Sequence, residues 1–196
     1  MPKARLLEAI AGKNRGILAT AGDRQAILTA ITELESRNPH PRPLITAIDL
    51  LAGNWQLIYT SSKSLLGIDK FPLIQLGTIY QCIRPKTQTI YNIAEVNSLV
   101  PGLNGLVTIV ADFTPIDDVR VNVQFNRSLI SFQGLMSYSH PDRLITAIES
   151  GQKFTAIDLK IDRQGKEPAW LEVTYLDENL RIGRGNEGNV FVLTKD

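Results

Sequence analysis

The sequence predicts a mainly β protein, an antiparallel up-and-down barrel with helices at its N-terminus. Apolar residues recur at helical spacing as far as about residue 36, and from Asn54 onward their period changes to two. Residues 119–126 alternate apolar and polar side chains without a fault, as a half-buried strand does. Short turns rich in glycine, proline and acidic residues separate the strand candidates, which favours hairpins between consecutive strands.

Two helices are expected before the barrel. The first covers residues 3–11 and stops at Gly12. Asp23 is expected to be the N-cap of the second, which runs to about Ser36 and repeats apolar residues at a spacing of three and four. That spacing gives the second helix one apolar face, which we expect to dock on the rest of the protein.

A proline-rich connector follows the second helix. Pro39, Pro41 and Pro43 each lack a backbone donor and restrict the preceding residue, so the helix cannot continue. We therefore expect a helical segment with a stiff connector over residues 1–43 and the barrel over residues 44–196.

Nine strands are expected in the barrel segment, because these stretches are rich in β-branched and aromatic residues. They cover residues 55–60, 77–84, 87–96, 106–114, 119–126, 157–162, 169–175, 180–184 and 190–193. A meander of this length exposes two edges unless it closes, and closure gives a barrel that can hold one small ligand.

Two long stretches interrupt the meander, at residues 61–74 and 137–152. Within the second, residues 142–149 predict a short helix that ends at Gly151. Interruptions of this length usually form lids or partner-facing loops, so we expect both at the entrance of a cavity.

Composition excludes several classes of function. The chain has 196 residues with 21 Lys and Arg against 20 Asp and Glu, which gives no basic surface for nucleic acid. Cys82 is the single cysteine, which excludes a disulfide framework and a Cys-rich zinc site, and His40 and His140 lie beside prolines in turns. We therefore expect no metal site and no nucleic-acid partner.

No motif for catalysis or cofactor binding stands out. The chain has no Gly-x-Ser-x-Gly, P-loop or His-Glu-x-x-His motif. Residues 183–188 have the spacing of a dinucleotide-binding loop, but that chemistry requires a following helix, and none is expected there. The sequence predicts a protein that is not an enzyme and carries no cofactor.

Gly53-Asn54-Trp55 stands at the start of the first strand and resembles the signature of lipocalins and fatty-acid-binding proteins. The resemblance implies that Trp55 closes one end of the barrel and that an arginine from a late strand packs over its ring. Such a contact is favourable because a guanidinium is attracted to the face of an indole.

The C-terminal residues 174–193 resemble the closing signature of the plastid lipid-associated proteins, also called plastid fibrillins. The block that begins at Gly53, residues 77–81 and residues 119–125 match the same family. The resemblance implies a lipocalin-like barrel of photosynthetic organisms that binds lipids, prenylquinones, tocopherols or carotenoids at thylakoids or plastoglobules.

The resemblance also bears on location. The chain starts at Met1 without a preceding transit peptide, which favours a cyanobacterial member over the mature domain of a plant protein. We expect a cytoplasmic protein or one in peripheral contact with the thylakoid membrane, and a plastid or plastoglobule protein if the source is a plant.

Two arginines are candidates for the interior. Arg181 and Arg184 are three residues apart on one strand, so they point to opposite faces. If Leu180 and Ile182 line the cavity, Arg184 shares their face and meets a ligand headgroup; otherwise the roles exchange. The family analogy makes one arginine the partner of Trp55, and Asp177 is the nearest anion in sequence.

These alternatives give two sets of site residues. A barrel-closing cluster is expected from Gly53, Trp55, Asp177 and Arg181. A lipid-binding set is expected from Arg184 and from aromatic residues on separate strands whose rings converge in the interior: Tyr59, Tyr80, Tyr91, Phe113, Phe125, Tyr175 and Phe191. The alternative is an interior in which these rings only pack on each other.

The sequence thus predicts binding or transport of a hydrophobic small molecule at a photosynthetic membrane, driven by burial of its apolar surface. An alternative is a structural coat or adaptor of lipid droplets or thylakoids, or an accessory subunit of an isoprenoid enzyme, with no ligand in the barrel. A weaker alternative is a cyclase or isomerase that uses the barrel as its reaction chamber.

Overall fold

The computed structural model describes residues 1–62, 74–100, 102–136, 138–162 and 169–196. The helices are α1 (Pro2–Ile10), α2 (Ala21–Glu35), α3 (Pro43–Thr46), α4 (Ile48–Leu51) and α5 (Pro141–Glu149). The strands are β1 (Gly53–Thr60), β2 (Ile74–Arg84), β3 (Thr89–Ser98), β4 (Gly105–Pro115), β5 (Arg120–Phe132), β6 (Ile157–Lys160), β7 (Ala169–Leu176), β8 (Leu180–Gly185) and β9 (Val190–Lys195).

Eight of these strands close into an antiparallel barrel, which confirms the predicted fold class. Around the barrel the order is β1, β2, β3, β4, β5, β7, β8 and β9, and β9 pairs with β1. The first half of β5 pairs with β7, and its second half pairs with β6. Strand β6 therefore extends one side of the wall beyond the closed part of the barrel.

The start of α2 differs from the prediction in one respect. Thr20, not Asp23, is the N-cap, and Asp23 is the third helical residue. The Asp23 carboxylate accepts from the backbone N of Thr20 at 2.9 Å, and the Thr20 hydroxyl accepts from the backbone N of Asp23 at 3.2 Å. This reciprocal pair is a capping box, which places the helix start three residues earlier than Asp23 alone predicts.

The two N-terminal helices lie on the outside of the barrel. Their apolar faces, which include Ile27 and Ile31, pack on Ile182 and Val192 of β8 and β9. Lys3 of α1 forms an ion pair with Asp177 at 2.7 Å. The predicted docking face thus covers the outer surface of the last strands.

Helices α3 and α4 close one end of the barrel. Leu44, Ile48 and Leu51 pack on the barrel core. The indole N–H of Trp55 donates to the carbonyl of Leu51 at 2.9 Å, which ties this closure to β1. We call this end of the barrel the closed end.

Helix α5 packs on the outer face of β2, β3 and β4, where Leu144 and Ile145 contact Cys82 and Ile93. The prediction that this interruption lies at a cavity entrance is therefore wrong for its helix, because the apolar face of α5 covers the barrel wall. The other predicted interruption falls mostly on residues 63–73, which lie outside the described residues, as does the turn at residues 163–165. None of the described helices has both the length and the apolar composition needed to cross a membrane.

Candidate ligand-binding site

The closed end of the barrel is filled with side chains. Inward-facing residues there are buried, including Trp55, Ile83, Ile90, Phe113 and Val121. A cavity lined by Ile83, Ile90, Phe113 and Val121, among others, measures about 20 Å³, room for about one water molecule. This half of the interior is a packed core, so a large ligand does not fit there without displacing side chains.

At the opposite end the inner face of the barrel wall is open. Five large apolar residues of β5 and β6 are between 40% and 60% exposed there: Phe125, Ile130, Phe132, Ile157 and Leu159. Cross-strand pairing places them on the inner face, because Phe125 lies opposite Ala111 of the barrel core. Ile130 lies opposite both Val107 and Ile157. We call this open apolar surface, together with Ala94, Val107 and Ile109, the cup.

Strands β3, β4 and β5 bury apolar residues on their opposite, outer face. Outward-facing Ile93, Leu106 and Leu129 are almost completely buried, and α5 covers the first two. These strands therefore carry apolar residues on both faces and have a cover only on the outside. An apolar surface left open on the concave side of a sheet is typical of a ligand-binding cavity.

A polar layer separates the cup from the closed end. Gln81 lies opposite Trp55 on one side and opposite Asn92 on the other, so all three face inward. Arg181 donates through Nη2 to Oε1 of Gln81 at 2.5 Å, and Gln81 donates through Nε2 to Oδ1 of Asn92 at 3.1 Å. We call Gln81, Asn92 and Arg181 the polar floor of the cup.

Arg181 is the charged residue of this floor. Its side chain is buried, and its guanidinium carbon lies 5.1 Å from the centre of the Trp55 ring. Burial lowers the pKa of Arg181 to about 9, so it still carries its charge at neutral pH. Among the described residues, its Nε and Nη1 have no hydrogen-bond partner.

Lys195 also contacts Trp55, with Nζ 5.0 Å from the ring centre, and it donates to the carbonyl of Leu50 at 2.8 Å. Burial, assisted by the charge of Arg181, lowers the pKa of Lys195. Gly53 at the start of β1 has a φ of +122°, and a Cβ there would lie 3.2 Å from the Lys195 side chain. The small residue at position 53 thus leaves space for the lysine beside the tryptophan.

The family model described as PAP_fibrillin matches residues 2–194. The chain belongs to the PAP_fibrillin family. This match confirms the resemblance to the plastid lipid-associated proteins and fibrillins.

Named plant proteins are similar to this PAP_fibrillin chain over almost its whole length. The "Light-induced protein, chloroplastic" of Solanum tuberosum is 32% identical, with 99% of this chain and 67% of the relative covered. The "Chromoplast-specific carotenoid-associated protein, chromoplastic" of Cucumis sativus is 31% identical with the same coverage. The "Probable plastid-lipid-associated protein 3, chloroplastic" of Oryza sativa is 30% identical, with 99% of this chain and 58% of the relative covered. No solved structure matches the chain.

The structure decides which arginine faces inward in this PAP_fibrillin barrel. Leu180 and Ile182 pack under α1 and α2, so Arg184 shares their outer face and Arg181 points into the barrel. Arg184 forms an ion pair with Glu35 of α2 at 2.7 Å. The predicted placement of Arg184 at a ligand headgroup in the barrel is therefore wrong, because its strand face is covered by helices.

Asp177 is not the anion for Arg181. Its carboxylate accepts from Lys3 at 2.7 Å and from the Tyr175 hydroxyl at 2.8 Å. It also accepts from the backbone N–H groups of Asn179 and Leu180 in the turn after β7, and together these bonds keep its pKa below the usual value against the effect of burial. The predicted inclusion of Asp177 in the barrel-closing cluster is therefore wrong.

The predicted aromatic residues do not all converge inside the barrel. Phe113 lies in the closed-end core, Phe125 lies on the cup, and Phe191 is partly buried against the barrel core. The four tyrosines lie on the outer face of the barrel, so the prediction that their rings converge in the interior is wrong. Tyr59 and Tyr175 pack under α1 and α2, and Tyr80 and Tyr91 pack under α5.

Sequence reasoning missed most residues of the cup and its floor. Ile130, Ile157 and Leu159 of the cup and Gln81 and Asn92 of the floor were not among the predicted site residues. The alternation of Ile130 and Phe132 with polar residues after Arg127 was the available signal. Nothing in the sequence distinguishes Gln81 or Asn92 from a solvent-facing polar residue of a strand.

Proposed function

We propose that this protein binds and carries a hydrophobic small molecule, such as a lipid, prenylquinone, tocopherol or carotenoid, in the cup. The observation that carries this proposal is the exposed apolar inner face of β5 and β6. The outer face of the neighbouring strands β3 and β4 is, in contrast, covered by α5. Covering apolar surface stabilises a complex by roughly 2.5 kcal/mol for each 100 Å² removed from water. The printed names of the lipid-associated and carotenoid-associated relatives support the same class of ligand.

The rim of the cup supports contact with a lipid surface. Residues 96–111 and 128–139 contain no charged residue, although charged residues make up 21% of the chain. The loop between β3 and β4 meets the loop after β5 at the open end, where the backbone N of Gln133 donates to the carbonyl of Asn104 at 2.8 Å. Leu99, Val100, Leu103 and Leu135 are exposed on them.

Apolar loops without charged residues, next to an open apolar cup, favour transfer of the ligand between a membrane and the protein without passage through water. We therefore place the protein in peripheral contact with a photosynthetic membrane, in a plastid or on a cyanobacterial thylakoid. The chloroplastic and chromoplastic relatives support this location.

Binding is tested with α-tocopherol and β-carotene added to the purified chain and to two variants. Ile130→Asp places a charge on the cup, and we expect it to weaken binding at least tenfold because the carboxylate must be desolvated. Ile116→Asp is the matched control, since Ile116 is 52% exposed against 41% for Ile130 but lies in the turn between β4 and β5 at the closed end. Equal affinities of both variants and the unmodified protein would contradict a site in the cup.

Mass spectrometry of lipids extracted with the protein distinguishes the alternatives. A carrier retains unaltered lipid, whereas a coat or adaptor with no ligand in the barrel yields none and binds none of the added probes. Chemically altered lipid after incubation would indicate an enzyme and overturn the proposal of a carrier.

A further inference from the structure

We propose that the polar floor binds a carboxylate, so that the cup selects long-chain carboxylic acids over neutral molecules of the same length. The proposal rests on the proposed function, because it places the apolar chain of the ligand in the cup. It adds a chemical class of ligand and an orientation, with the acidic group pointing towards the closed end.

Arg181 has no counter-charge among the described residues. Arg184, Arg120 and Arg127, for example, form ion pairs with Glu35, Glu172 and Asp158. All three arginines are partly exposed, whereas Arg181 is 1% exposed and pairs with no carboxylate in the described part of the chain. A buried cation without an anion is costly, and a carboxylate at this position removes the cost.

Two acidic candidates, Asp177 and Glu95, are engaged elsewhere. Asp177 is held by Lys3 and Tyr175 outside the barrel. Glu95 of β3 accepts from the Tyr138 hydroxyl at 2.9 Å on the outer side of the wall. The described residues thus place no carboxylate against Arg181. A bound ligand can supply the negative charge instead.

The polar floor holds hydrogen-bond donors that suit a carboxylate. Nε and Nη1 of Arg181 are unpaired, and Nη2 is bound to the side-chain oxygen of Gln81. A carboxylate oxygen of the ligand can replace this amide oxygen and accept from the guanidinium. The amide nitrogens of Gln81 and Asn92 lie in the same layer and can donate to the carboxylate. Hydrogen bonds between a guanidinium and a carboxylate are about twice as strong as those between neutral groups.

The polar floor is accessible from the open end of the barrel. Gln81 and Asn92 face inward, yet both are only partly buried, so solvent reaches them through the interior of the barrel. A ligand that enters from the open end therefore meets Gln81 and Asn92 first and Arg181 directly behind them. The cavity of about 20 Å³ that borders Arg181 on the closed side gives its guanidinium room to adjust.

The test compares palmitic acid with hexadecan-1-ol, which have the same chain length, by titration of the full chain below the concentration at which either aggregates. We expect the unmodified protein to bind palmitic acid at least tenfold more tightly, which corresponds to about 1.4 kcal/mol. We expect Arg181→Met to lose this preference while still binding hexadecan-1-ol. Arg184→Met is the matched control and should keep the preference, because Arg184 lies on the outer face.

Each outcome decides a different point. Equal affinity of the unmodified protein for the acid and the alcohol would overturn the carboxylate site and leave the proposed function standing. Binding of neither probe would overturn the carboxylate site, and it would overturn the proposed function as well if α-tocopherol and β-carotene also fail to bind. If Arg181→Met does not fold, Asn92→Leu replaces it, and an unchanged preference for the acid in that variant would count against the polar floor as the site.

Discussion

Arg184 and Glu35 form a two-point ion pair that joins β8 to α2. Nε of Arg184 donates to Oε1 of Glu35 at 2.9 Å, and Nη2 donates to Oε2 at 2.7 Å. The Thr174 hydroxyl donates to the same Oε1 at 2.6 Å. Because the Glu35 side chain is only 16% exposed, this contact ties the helical segment to the barrel wall with little competition from water.

We expect Glu35→Gln to lower the free energy of unfolding by about 1–3 kcal/mol, since it leaves Arg184 half-buried without its anion. Urea denaturation measures the change. The control is Arg5→Gln, which breaks the exposed ion pair between Arg5 and Glu33 and should cost less than about 1 kcal/mol. Equal losses in the two variants would show that the half-buried pair has no special role.

The capping box of α2 predicts a dependence of stability on pH. A hydrogen bond from Lys13, followed by hydrogen bonds from Thr20, lowers the pKa of Asp23 from 3.8 to about 2. Because this pKa is lower in the folded state, the stabilisation by Asp23 is fully present above pH 4 and is lost as the pH falls towards 2. The measurement is the difference in unfolding free energy between the unmodified chain and Asp23→Asn from pH 6 to pH 2.5. A difference that stays constant over this range would contradict the assignment.

Gly16 marks a close approach between the loop after α1 and the end of β1. Its φ is +105°, and a Cβ there would lie 2.7 Å from the carbonyl oxygen of Thr60. We expect Gly16→Ala to lower the free energy of unfolding by at least about 1 kcal/mol. Gly22 in the first turn of α2 is the control, because a Cβ there has its nearest contact at 3.9 Å. Gly22→Ala should leave the stability unchanged or raise it by up to about 1 kcal/mol, and thermal melts of both variants test the contrast.

Cys82 is predicted to report on the packing of α5. Its side chain is fully buried against Leu144 and Ile145, and burial raises the pKa of its thiol to about 12. We expect no reaction with a disulfide reagent at pH 8 while the protein is folded, and complete reaction in denaturant. Ser139→Cys provides an exposed thiol just before α5 and should react at once. Rapid labelling of Cys82 in the native protein would show that α5 opens readily.

The strands were predictable because each is a local pattern, and apart from the end of β5 their ends lie within three residues of the predicted ones. Strand β5 is the informative exception, since the prediction stopped at Asn126 and the strand continues to Phe132. Asn126 is an extra residue between Phe125, which pairs with Ala111, and Arg127, which pairs with Val110. This bulge interrupts the alternation of inward and outward residues, which resumes after it. The exposed residues that β5 adds to the cup all follow this bulge or immediately precede it.

The candidate site was less predictable than the strands. Phe125 lies on the inner face of the barrel, whereas Tyr80 and Tyr91 lie beneath α5 on the other side of the wall. Alternation fixes which residues share a face, but it does not say which face is inside when both are apolar. Here both faces are apolar, because helices cover the outside of the barrel.

By itself, the sequence determined the nine strands, the docking helices, the family and the fact that Arg181 and Arg184 point to opposite sides. Only the tertiary structure decided that Arg181 points inward, that Asp177 forms an ion pair with Lys3, and that the barrel has one filled end and one open apolar end. The physical reason is that strand patterns and helix caps depend on neighbours along the chain. The direction of a face and the partner of a buried charge depend on groups up to 174 residues away.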